Sequence, residues 1–436
     1  MAFASAFSDD PAIRTLPTRA RFAAHAKQWL DEEFARPTMS LVRALILLAE
    51  YHCGIGEKDA GYMYMGMSFR ATRAFILSGD DVDRNIEGAV SSAESIYRNW
   101  HIWSAFCHDK TMAIEFELDY DMPLPHSRIS LPPIDAGLDS QPWALETCSL
   151  SSINGNPPRI TTLAFNETCK LISIAARIIR VLYQQPRSDP EEHTILNIHL
   201  RLDTWFNNLP ENLLVWARTA SPLPHVIILH VCYWSLLLIL HQPLYQPSRG
   251  MSKDSKSTED RVERVPITDL SVKMCNRASH KVVQLLAMFG NRHGPQYFPP
   301  NMIWTIRTCA NALLREHASA SETANKKRYN AENGVSVCLS TLRFLSETWP
   351  AAQVQLERLE KHVEAQLKPT STITQIDGAI EETPEEAAQG HQADDSTDVS
   401  DMLHDFMRKW RRMSSPSRPA HSLEPSSVSL CSETDK

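Results

Sequence analysis

The sequence predicts an all-α protein: a single large helical domain followed by a disordered acidic tail. Three observations predict this. Apolar residues recur every three to four positions in segment after segment, the period of an amphipathic helix. No run of alternating residues marks a strand, and no self-similarity at roughly 30 to 45 residues marks a solenoid. Glycine is scarce, 14 residues in 436, and doubly wound nucleotide folds need several for their phosphate loops.

Composition narrows the function classes. The chain is 43% hydrophobic and 22% charged, ordinary usage for a soluble protein with a sizeable core. Its net charge of -8 repels polyphosphate, so these residues by themselves are poor grips for nucleic acid. The nine cysteines include no CxxC pair and are odd in number, which predicts free thiols in a reducing compartment. The start, "MAFASAFSDDPAIRTLP", has neither the basic nor the long apolar region of a secretory signal. The sequon Asn166-Glu167-Thr168 therefore carries no weight.

Residues 1–20 read as a loose lead-in, the truncated start of a domain that continues over 21–368. A helix is predicted from Arg21 to Ala35, where Phe22, Ala26, Leu30 and Phe34 recur every four residues. After Pro37 a second follows, with Leu41, Ala44, Leu45 and Leu48 on one face. Further helices are predicted at 59–77, 94–116, 163–184, 192–207, 224–241, 269–290, 299–318, 336–350 and 351–369, the last polar on most sides. Proline- and serine-rich or charged loops interrupt at 119–160 and 246–266. The body is thus a bundle of roughly ten helices.

"LPHVIILHVCYWSLLLILHQPLY" (223–245) is the most apolar stretch. Its continuous run is about 15 residues, whereas a bilayer span needs roughly 20. A buried core helix is predicted, opened by Pro224 and stopped by Pro243. His225, His230 and His241 are not spaced to share one helical face, which makes them structural and not metal ligands.

Asp80, Asp81 and Asp83 in "SGDDVDRN" form the strongest chemical cluster. Grouped carboxylates hold Mg²⁺ against a diphosphate in all-α isoprenoid enzymes. Here they read as an N-capping turn just after a helix, with no second metal motif downstream. His193 and His199 beside Glu191 and Glu192 read as a solvated helix face. No HExxH, GxSxG, P-loop or GxGxxG is present, and no catalytic, cofactor-binding or metal-ligating residue is assigned.

The segment 369–436 differs in kind: acidic, without lysine or arginine from Ser371 until Arg408, and too polar to offset chain entropy. Within it Val399, Met402, Leu403, Phe406, Met407 and Trp410 form one helical stripe near 399–410. Such a stripe reads either as a helix for a coactivator groove or as one that folds back onto the body or stays solvated.

Four segments together resemble the fungal-specific transcription factor domain, the middle homology region of fungal zinc-cluster (Zn2Cys6) regulators, nearest to the nitrogen-assimilation type. They are residues 22–75, with Tyr64, Gly66 and Arg70 in an aromatic-x-Gly-x-Ala-x-Arg pattern where Ser68 replaces the alanine; "YRNWHIWSAFCHDK" (97–110), with Arg98, Trp103 and Asp109; "HLRLDTWFNNLPENL" (199–213); and the apolar helix itself. The likeness runs from about 22 to 350. His241-Gln242-Pro243-Leu244 stands where the family has His-Arg-Pro-Phe, and "FELDYDMP" replaces a Gly-Arg-Pro loop after Asp109.

The resemblance implies a nuclear regulator of transcription, not an enzyme. Family members bind DNA through a six-cysteine zinc cluster, a pattern these residues lack, so zinc and DNA are expected only through a missing N-terminal domain. Expected partners are the transcription machinery or a coactivator at the acidic tail, a small-molecule effector in a pocket around 224–241, and a second copy in a homodimer, with no membrane. The alternatives are a Mg-dependent diphosphate-processing enzyme using Asp80, Asp81 and Asp83, and an inhibitory dimerisation partner of intact zinc-cluster factors.

Overall fold

Short polar side chains set where the first helices begin. Asp10 caps α1 (Pro11–Arg14) by accepting from the Ala12 amide, and Thr15 caps α2 (Leu16–Lys27) by accepting from Thr18. Each cap answers one of the amides that a helix start leaves orphaned, and the prolines at the first turns lack one to satisfy. After α3 (Leu30–Phe34), Thr38 caps α4 (Met39–Gly54) in the same way.

The computed structural model describes residues 1–35, 37–85, 92–125, 129–143, 157–184, 191–215, 222–245, 266–321 and 323–367, with side chains except at 76–94, 266 and 367. Contacts group Met1–Thr370 as one unit. The acidic tail 369–436, its stripe at 399–410, the loop 246–265, Cys148 and Cys431 lie outside the described residues.

The described chain continues with α5 (Lys58–Asn85), α6 (Ser92–Phe116), α7 (Ala136–Asp139), α8 (Thr161–Tyr183), α9 (Glu192–Asn207), α10 (Pro224–His241), α11 (Pro266–His293), α12 (Ile303–Ser319), α13 (Asn325–Ser346) and α14 (Pro350–Leu367). Fourteen α-helices and five 3-10 turns account for it, and no strand occurs among the described residues beyond one isolated bridge, Pro142 to Pro158. The all-α expectation holds.

Helix α10 is the spine. It packs on α8, α9, α11 and α12, and Ile227, Val231, Leu236, Leu238 and Leu240 have no exposure. A helix apolar on every side is stable only where neighbours cover every side. Pro224–Leu244 is long and apolar enough to cross a membrane, yet 78% of its most apolar window is buried inside the protein. The main hydrophobic cluster surrounds it, drawing on α6 and α8 to α14. A second cluster belongs to α4, α5 and one side of α6, which lends Ala105 and Met112 to it and Trp103 and Phe106 to the first.

The structure corrects several expectations. Residues 1–20 are not a loose lead-in: Ala2, Ser5, Ala6 and Arg19 are buried, and Phe3 and Phe7 pack on Trp349. The predicted 21–35 helix is two helices, α2 and α3, with Gln28 and Trp29 between them. Helix α13 begins well before residue 336, through a polar first turn that shows no apolar period. Helix α14 is polar on most sides, as predicted, and buries one stripe formed by Ala352, Leu356 and Leu359. Asp80, Asp81 and Asp83 do not follow a helix as a capping turn; the backbone of α5 runs helically through Asn85, and their side chains lie outside the described ones.

Candidate regulatory core

The polar side chains of the motifs are fasteners between loops and buried helices. On α6, Trp103 donates Nε1–H to the Ser130 carbonyl at 2.8 Å. Six residues on, Asp109 accepts from the backbone amides of Asp121 and Met122, both at 3.0 Å. Its neighbour Lys110, with no exposure, donates to Asp109 at 2.5 Å and to the Met122 carbonyl, its ammonium lying over the Phe106 and Tyr120 rings at 4.1 and 4.0 Å. Burial pushes the Asp109 carboxyl up and the Lys110 ammonium down, and each partner opposes the shift of the other. A buried ion is tolerable only when paired and hydrogen-bonded, and each of these two side chains has both kinds of partner.

That pair holds the "FELDYDMP" loop, which starts at Glu117 with a φ of 57°. Arg73 donates to the Asp121 carbonyl at 2.8 Å and Arg180 to the Tyr120 hydroxyl at 2.6 Å, so α5, α6 and α8 all grip it. On α9, Trp205 donates to Glu167 of α8 at 3.1 Å, and Glu167 also takes Lys170 at 2.7 Å. Asn166 of the sequon is buried and donates to the Pro132 carbonyl at 2.7 Å.

The three histidines of α10 have distinct surroundings. His230 Nε2 lies 2.8 Å from the Leu213 carbonyl, so it carries the proton and donates, fixing the leucine-proline element that follows α9. His241 Nε2 sits 2.8 Å from His199 Nδ1, and its Nδ1 sits 3.0 Å from the Ser271 hydroxyl of α11. The two neutral rings and the hydroxyl form one chain in which a single choice of tautomer sets every donor. Burial holds His199, His230 and His241 below the usual imidazole range, His241 well below it with His199 adding to the effect. The expectation of a solvated face for His199 is thus overturned: it is 3% exposed, while His193 on the same helix is exposed. His225 packs on Trp143, and burial drives it down to about 4. No sequence spacing within α10 announces the His199–His241 pair, because its two members come from different helices.

The glycine of the aromatic-x-Gly pattern, Gly66, has open space where a Cβ would project. Tight approach belongs to Gly54, where a Cβ would stand 2.3 Å from the Trp349 ring, and to Gly61, where it would stand 2.4 Å from Cys53 Sγ. Gln242, with its amide oxygen turned toward α12, accepts from the Arg315 guanidinium at 3.2 and 3.3 Å. An arginine at 242 would face Arg315 with like charge.

Two features bear on ligands. A cleft of about 190 Å³ is lined by Leu314 and His317 of α12, Glu332, Val335, Ser336 and Leu339 of α13, and Val363 of α14, with none of α10 in its walls. His317 Nε2 lies 2.8 Å from Glu332 at its rim. Among the described residues no three His, Cys, Asp or Glu side chains are grouped to hold a metal ion.

Comparison with known proteins shows what this chain is similar to. Residues 1–207 match the fungal specific transcription factor domain. Longer alignments reach past the domain match: the nitrogen assimilation transcription factor nirA of Emericella nidulans is 24% identical over 372 residues, 81% of this chain and 38% of the relative. The nitrogen assimilation transcription factor nit-4 of Neurospora crassa is 22% identical over 345 residues, 76% of this chain and 28% of its own. An uncharacterized transcriptional regulatory protein of Schizosaccharomyces pombe is 23% identical over 304 residues, 66% and 46% of the two chains. The chain spans less than half the length of each of these three relatives. No solved structure matches. The fasteners Trp103 and Asp109 fall inside the matched domain, and His230 and His241 beyond it.

Proposed function

We propose that this chain is the regulatory, middle homology part of a fungal zinc-cluster transcription factor, acting in the nucleus without catalysis. The observation that carries the reading is the family match of residues 1–207, continued by transcription factor relatives over as much as 81% of the chain. The geometry supports it: each polar motif residue described above is spent on fixing a loop or a helix pair, and none is presented to a substrate. In this reading the acidic segment 369–436 contacts the transcription machinery, and zinc-dependent DNA contact is made by residues outside these 436.

Effector control is part of the proposal. The apolar cleft between α12, α13 and α14 supports a small apolar molecule as the effector. The test fuses the whole chain to an unrelated DNA-binding domain and follows a reporter in a fungal host on different nitrogen sources. The fusion should change reporter output relative to the DNA-binding domain alone, and deleting 369–436 should remove the change. Equal output from fusion and control on every nitrogen source would overturn the reading.

A further inference from the structure

Two thiols meet where α6 packs on α8. Cys107 Sγ of α6 lies 4.0 Å from Cys169 Sγ of α8. Cys232 of α10 is close enough for its ionisation to be opposed by Cys107. Cys107 is partly exposed and Cys169 has no exposure. A disulfide needs the sulfurs at about 2.05 Å, so the two must close by roughly 2 Å for the bond to form.

Both helices carry a place to give at this point. Thr111 donates its hydroxyl to the Cys107 carbonyl at 3.0 Å, and Ser173 donates to the Cys169 carbonyl at 2.7 Å. Hydroxyl bonds to the carbonyl one turn back loosen and bend a helix locally.

We propose that Cys107 and Cys169 are a peroxide-responsive thiol pair that, once oxidised, locks α6 to α8 beside the core helix. Cys107, the partly exposed residue of the two, attacks the O–O bond of a hydroperoxide, giving a sulfenic acid and releasing water or the alcohol. Cys169 then attacks the Cys107 sulfur; its proton leaves with the hydroxyl as a second water, and the S–S bond forms. Two electrons pass from the sulfur pair to the peroxide. The neighbouring thiol and burial raise the Cys107 thiol well above its usual range, so its oxidation is slow.

The lock closes helices that both sides of the body share, since α6 contributes to both large hydrophobic clusters. The experiment treats the whole purified chain with hydrogen peroxide, alkylates the remaining thiols and maps cross-linked peptides. A Cys107–Cys169 linkage is expected, with a Tm raised by several degrees and returned by dithiothreitol. Cys107→Ser and Cys169→Ser should each abolish both effects, and Cys232→Ser should abolish neither. Where a serine variant fails to fold, Cys107→Ala or Cys169→Ala takes its place. Oxidation of Cys107 with no cross-link, a Cys107–Cys232 linkage, or no reaction at Cys107 in the folded chain would each overturn the proposal.

Discussion

The guanidinium of Arg19 lies 4.1 Å from the ring centroid of Trp349, and its NH1 donates to the Thr348 carbonyl at 2.8 Å. The same side chain reaches back to the Ala2 carbonyl through Nε at 3.3 Å. One buried cation thus ties the first residues to the turn between α13 and α14. Arg19→Ala removes both bonds and the stacked plane, and should cost about 2–3 kcal/mol of stability in urea unfolding. Arg19→Lys should lose nearly as much, since an ammonium cannot stack and fork at once. A lysine variant as stable as the parent would show that charge alone holds this end.

Asp109 and Lys110 should behave as a unit. Asp109→Ala leaves the ammonium of Lys110 buried without its carboxylate and two loop amides without an acceptor. A loss of about 3–5 kcal/mol is expected. Adding Lys110→Met should restore part of it, because the uncompensated charge leaves with the lysine. Chemical denaturation of both singles and the double variant gives the coupling directly.

The buried histidines set an acid limb. Each of His199, His225, His230 and His241 has a folded pKa below 6.5, so below that pH the unfolded chain binds more protons than the folded one. Stability is therefore full above pH 6.5 and falls as pH drops through it, continuing for His225 until about 4. His225 alone accounts for about 2–3 kcal/mol of that fall. His225→Phe should flatten the limb by that amount when Tm is followed from pH 7.5 to 4.5.

Glu115 works with the opposite sign. Burial raises its carboxyl to about 7, with Glu50 adding to the rise and Lys58 opposing it. Its contribution is present below pH 4.5, the ordinary value, and is lost as pH rises toward 7. Glu115→Gln should consequently stabilise the chain at pH 8 by about 1–2 kcal/mol and change little at pH 4.5. Equal effects at both pH values would show that the carboxyl is not desolvated.

Glycine substitutions separate approach from pattern. Gly54→Ala drives a methyl into the Trp349 ring and should cost about 1–3 kcal/mol. Gly66→Ala meets open space within a helix and should be neutral or stabilising by up to about 1 kcal/mol. Thermal unfolding of the two variants side by side is sufficient.

Periodicity made much of this fold legible. The bounds of α9 and α10 coincide with the predicted 192–207 and 224–241, because their apolar runs are framed by sharp breakers such as Pro224. Where a helix begins on exposed polar residues, as α13 does at Asn325, no period exists to read. Short capped helices such as α1 fall below the window in which a period registers. The site was less legible for a related reason: His199 pairs with His241, and Trp205 with Glu167, across helices whose relative placement no local pattern encodes.

A rod such as α10, greasy on every side, also dictates an order of assembly. It packs on α8 and α9 before it and on α11 and α12 after it. While the ribosome is still making α11 and α12, the rod has only half its wall and is a ready target for chaperones or for sticking to its neighbours. Fragments ending between α10 and α12 should therefore aggregate in the cell, and any useful shortened version must keep the chain through Ser319.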